Sequence, residues 1–213
     1  MKSKETVGNF NLFYRNGDDF KNDWQKHFLE VYGLNTDLSC VRLPPVAVGF
    51  NWGVIRVPEL SGQKMFEVLS KRFKRSRKWC DNLDKILNIG KEARTTKNGP
   101  YAGWLRDCLE VDEKLNYLSA KDIIEQKIKC VTLSERIALE GWYEWKFGHH
   151  LNIKTVSLNA GSRCVDGTVP TLYWSGTHGL CVDTWLFSQG SVGICGREIR
   201  VLADILEMSA FCF

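Results

Sequence analysis

Between positions 71 and 78 the chain places six cations in eight residues: Lys71, Arg72, Lys74, Arg75, Arg77 and Lys78. Cations at this density suit a phosphate backbone, because each contact adds Coulomb attraction and releases a condensed counterion. If the segment is helical, Lys71, Lys74, Arg75 and Lys78 share one face at i, i+3, i+4 and i+7 spacing. Phe73 then points with Met65 and Leu69 toward the protein and anchors the helix. The competing reading is a solvated helix end, whose C-terminal dipole also favours positive side chains. An acidic protein surface would satisfy the same charges.

A second segment, Asn159-Ala160-Gly161-Ser162-Arg163-Cys164-Val165-Asp166-Gly167, combines glycine with small polar groups. Gly161 and Gly167 permit a turn whose amides face inward on an anion. Ser162, Arg163 and Asp166 complete a candidate ligand loop, in which Arg163 either grips the ligand or pairs with Asp166. The spacing matches neither a P-loop nor a dinucleotide-binding glycine motif. Loop architecture is the plainer explanation. Nearby, Ser162 or Cys164 or Cys181 with His178 and Asp183 has the residue types of a small hydrolase, without a Gly-x-Ser-x-Gly elbow. Cys164, His178, Cys181 and Cys195 are zinc-ligand types, but their long spacings assign no metal. No cofactor motif is present. His149 and His150 follow a helix stop, where capping and surface hydrogen bonds explain them. Glu140 and Glu144 lie one helical turn apart and read as solvated surface.

These residues need elements to position them. Phe20, Trp24 and Phe28 recur at helical spacing over 19–32, closed by Gly33. Val46, Val48, Phe50 and Trp52 alternate as a strand continuing through Val57. Ser61 caps a helix bearing Met65, Leu69 and Phe73 that leads into the basic run. A short helix over 79–89 follows. Tyr101, Trp104, Cys108, Val111 and Leu115 predict another helix after Pro100. Ser119 with Asp122, and Thr132 with Glu135, resemble capping boxes opening helices toward Ile128 and over 133–147. On the latter, Ile137 and Trp145 face inward, while Trp142 or Tyr143 lies near the margin. Residues 169–174 and 180–187 form a hairpin, and 198–203 a third strand.

The expected fold is α+β, with a helical central region and a C-terminal antiparallel hairpin or small mixed sheet. Residues 1–213 read as a single domain, divisible at the polar 90–100 segment into subdomains 1–97 and 98–213. Net charge is +4, with eleven basic and four acidic residues concentrated in 64–97. So small a surplus does not by itself mark a nucleic-acid binder; its clustering does. Eight scattered cysteines without a C-x-x-C pair predict reduced, buried thiols. No apolar stretch has transmembrane length, and Met1–Glu5 lacks a following apolar signal region. The sequence therefore predicts a cytoplasmic binding protein contacting nucleic acid, or an acidic protein surface, through residues 71–78. A protein-interaction or host-directed module is the alternative, with oligomerisation through aromatic surfaces, including the Ala210–Phe213 terminus; the small hydrolase comes third.

Overall fold

Thr132 accepts the Glu135 amide, and Glu135 returns a carboxylate oxygen to the Thr132 amide. This reciprocal box opens the longest central helix, Leu133–Phe147, which Gly148 ends in the left-handed region at φ 70°. In the computed structural model, which describes residues 17–202, this helix is the hub. The elements run α1 (Gly17–Tyr32), β1 (Trp52–Arg56), α2 (Gly62–Phe73), β2 (Ser76–Lys78), α3 (Leu83–Ile86), β3 (Tyr101–Leu105), α4 (Ala120–Glu125) and α5 (Leu133–Phe147). They continue with β4 (Val156–Leu158), β5 (Val169–Ser175), β6 (Gly179–Trp185), β7 (Ile194–Cys195) and β8 (Ile199–Val201). The result is a mixed α-helical and β-sheet fold with helices in the core and a mixed sheet toward the C-terminus. The Phe10–Tyr14 and Ala210–Phe213 patches and Cys212 lie outside the described residues.

Two sheets frame α5. β3 runs antiparallel between β1 and β8. The second sheet has the order β2-β6-β5-β4-β7, with β5 and β6 forming the expected hairpin. β2 joins β6 in parallel, and β7 joins β4 in parallel. α5 packs against α1, α2, β1 and β5. Neighbours on several sides explain why both Trp142 and Tyr143 are buried, where helical spacing had placed one near the margin. Trp142 stacks on Trp24 of α1 at 5.8 Å between centroids and 8° between planes. One apolar cluster extends from Phe20 to Val201, and a smaller one gathers Val111, Leu115, Ile123, Leu158 and Val169.

Several elements depart from the sequence expectation for identifiable reasons. Residues 46–51 are not strand: Phe50 donates its amide to the Ala47 carbonyl, Gly49 turns at φ 79°, and Val46 and Val48 are exposed. Residues 101–105 form β3 rather than a helix, because β1 and β8 take up both edges of its backbone. A helical stripe and a two-sided buried strand look alike over five apolar residues. The 79–89 helix shrinks to the single turn of α3, capped by Asn82. The strand expected at 198–203 is present as β8.

Candidate nucleic-acid interface and ligand loop

Ser61 caps α2 as expected, its hydroxyl accepting the Lys64 amide. Met65 and Leu69 are buried along the helix, and Phe73 ends it. The helix does not carry the basic run further. Lys74 turns left-handed at φ 60°, and Ser76–Lys78 then pair in parallel with Leu180–Val182. This corrects the four-cation helical face: Lys71 and Arg72 lie on helix, Lys74 and Arg75 at a corner, and Arg77 and Lys78 on a strand. The break is physically reasonable. A continued helix would align like charges at i, i+3 and i+4, whereas the strand gains hydrogen bonds from β6.

The six cations differ in their partners. Arg72 pairs with Glu144 of α5 at 2.6 Å, and Arg77 with Asp183 of β6 at 3.1 Å. Lys78 turns inward, donating to Gln63 Oε1 at 3.2 Å and to the Asp81 carbonyl. Among the described residues, the Arg75 side chain reaches only the Gly176 carbonyl, at 3.5 Å. Lys71, Lys74 and Arg75 form no ion pair among the described residues, and all three are exposed. They surround the end of α2 next to the β5–β6 turn.

The corner has a rigid aromatic root. Phe73 meets His150 and Trp174 edge-on, at 4.9 and 5.6 Å. His150 lies flat on Trp174 at 3.3 Å and 6°. Its Nδ1 is 3.0 Å from Glu140 Oε1, while Glu140 Oε2 accepts Arg136 Nη1 at 2.9 Å. Arg136 also donates to Asn152 Oδ1. Glu140 is thus fully buried rather than solvated, and Glu144 holds Arg72. The i, i+4 spacing of Arg136 and Glu140 was the sequence signal for this pair; His150 and Trp174 gave none, because tertiary packing brings them together.

In the 159–167 loop, Gly161 lies against the carbonyls of Cys130 and Val131, leaving no room for a side chain. Its amide donates to the Val131 carbonyl. The Ser162, Cys164 and Gly167 amides donate to the carbonyls of Asn159, Thr168 and Cys164. These loop amides are thus taken up by backbone carbonyls. Backbone bonds from Asn88, Ala93 and Val165 fasten it to the 86–93 segment. Arg163 lies over the Phe187 ring at 3.6 Å, and its Nη1 has no partner among the described residues. Asp166 instead accepts the Thr168 hydroxyl and amide, which hold its carboxyl below the usual range.

Ser162 is buried. Its hydroxyl donates to Glu92 Oε2 at 2.9 Å and accepts the Leu133 amide at 2.9 Å. His178 stands on the exposed hairpin turn, and Asp183 engages Arg77. The structure therefore does not join Ser162 to these two residues by hydrogen bonds. Burial pushes the Cys164 thiol up to about 11, against the thiolate a nucleophile needs. Among the described residues no group of His, Cys, Asp and Glu could hold a metal ion, and no helix is long and apolar enough to cross a membrane. Comparison of the chain with protein-family models, curated proteins and solved structures gives no match.

Proposed function

We propose that the protein binds nucleic acid without catalysis, through phosphate attraction at the corner where α2 passes into β2. The supporting observation is that Lys71, Lys74 and Arg75 are exposed, close together and without carboxylate partners among the described residues. Arg72 and Arg77 extend the patch while remaining tethered to Glu144 and Asp183. The Phe73–His150–Trp174 packing fixes the corner from beneath, so the cations are presented on a rigid base. Contacts of this kind fix position on a backbone and carry no base sequence. We place this activity in the cytoplasm.

Fluorescence anisotropy with a labelled mixed-sequence oligonucleotide tests the reading. Three principal contacts give a slope of log affinity against log salt of about −2 to −3. The double variant Lys74→Glu, Arg75→Glu is expected to weaken binding by roughly tenfold or more at low salt. Unchanged affinity in that variant, or no binding at low salt, defeats the proposal. Equal or tighter binding to polyglutamate redirects it to an acidic protein partner.

A further inference from the structure

Trp79 packs in neither apolar cluster, whereas every other tryptophan packs in or against one of them. It follows directly on Lys78 and is 37% exposed, and its ring meets no other ring among the described residues. An indole left in water forgoes a large gain from burial, so its place at the end of the basic run requires an explanation.

The strand before it shows which way it points. Arg77 reaches out to Asp183, whereas Lys78 turns the other way, to Gln63. Trp79 and Cys80 continue this alternation: Trp79 is exposed, and Cys80 packs against the larger apolar cluster. Arg75 stands on the outward side as well, since a side chain on Gly179 would meet its Cβ.

The outward side extends across the sheet. By register, Arg77 lies level with Cys181 of β6 and Tyr173 of β5, so Arg77 and Tyr173 share one face about 10 Å apart. Leu172, Leu180 and Val182, next along the same strands, face the opposite way into the larger cluster. The smaller cluster covers the far end of the outward face, at Val169 and Trp185. Tyr173 is partly exposed, belongs to neither cluster and meets no other ring among the described residues. Two open rings therefore stand on the same face as Arg75 and Arg77.

We propose that the nucleic acid held at this corner is single-stranded, its unpaired bases stacked on Trp79 and Tyr173 while Arg75 and Arg77 follow its phosphates. The inference rests on the nucleic-acid reading above and adds to it the state of the strand. Each base has a π-face that an aromatic ring can cover, whatever the sequence. In a duplex those faces are stacked on one another, and a base must be extruded to reach a side chain. Phosphate attraction alone favours the duplex, which carries the higher charge density. A preference for the single strand is thus the signature of the rings. Asp183 holds Arg77 on the outward face beside them.

Fluorescence anisotropy of the full chain tests this at one low salt concentration. The probes are a labelled single strand, its duplex, and an abasic strand of the same length and charge. The single strand is expected to bind at least about fivefold more tightly than either of the others. Trp79→Ala and Tyr173→Ala should each weaken it roughly fivefold or more, toward the affinity of the abasic strand, and Trp79→Phe should keep most of the binding. Single strands of DNA and RNA are compared; tighter binding of either than of its own duplex supports the site and names the class. Equal affinity for single, duplex and abasic strands, all lost in the Lys74→Glu, Arg75→Glu variant, overturns this inference and leaves phosphate binding standing. No binding to any of the probes removes both. Should an alanine variant fail to fold, the abasic comparison on the wild-type chain decides.

Discussion

His27 is buried with both ring nitrogens lacking partners among the described residues, enclosed by the rings of Trp24, Phe28, Tyr32 and Trp145. Burial, with a smaller contribution from the Arg72 charge, holds its pKa down to about 3. The unfolded chain takes up this proton near pH 6.5 and the folded chain near 3, so the unfolded state binds more protons between them. The stabilisation from a neutral His27 is complete above 6.5 and declines by about 1.4 kcal/mol per pH unit as pH falls toward 3. Replacing His27 with Phe keeps an aromatic ring in the cage and should flatten this part of the acid response, read as urea midpoints across the range. The Arg72–Glu144 pair behaves differently. It is partly exposed, so Glu144→Gln should change stability by less than about 1 kcal/mol, while freeing Arg72 and tightening oligonucleotide binding.

At the scale of elements, the passage from α2 to β2 depends on Gly179. The backbone there has φ 73°, and a methyl group would fall on the Arg75 carbonyl. Gly179→Ala should therefore cost about 2–4 kcal/mol in chemical denaturation and loosen the basic corner. The Thr132 cap of α5 predicts a loss of about 1–2 kcal/mol for Thr132→Ala. Such caps were legible in the chain because they are local: Ser61, Ser119 and Thr132 each bond within three residues. The hairpin was legible for the same reason. β3 was not, since its strand character depends on β1 and β8, some fifty and a hundred residues away along the chain. The basic run was visible as composition, but its corner was hidden, because it depends on the pairing of Ser76–Lys78 with β6. Trp79 and Tyr173 carried no sequence motif; the register of β2 and β5 with β6 brings them to one face.

Across the whole molecule, the larger apolar cluster joins Phe20, Trp24 and Phe66 to Trp142, Leu172 and Ile199. A cut at the 97–98 boundary exposes both sides of it. Fragments 1–97 and 98–213, expressed separately, should lack near-ultraviolet circular dichroism and should recover it on mixing only if they reassemble this core. By contrast, the Lys74→Glu, Arg75→Glu variant alters side chains outside that core, so its thermal midpoint should stay within a few degrees of the parent.

β2 occupies one edge of the five-stranded sheet and carries Arg77 and Lys78. An outer strand with unused backbone groups invites another chain to add to it, and charge is a common defence against such growth. Arg77, which extends the patch proposed to attract phosphate, stands exposed on this strand and so should also oppose fibrillar self-assembly. Replacing these cations with valine would remove that guard, whereas reversing their sign would keep it, so loss of nucleic-acid affinity and gain of a clumping tendency are separable consequences of the same few positions.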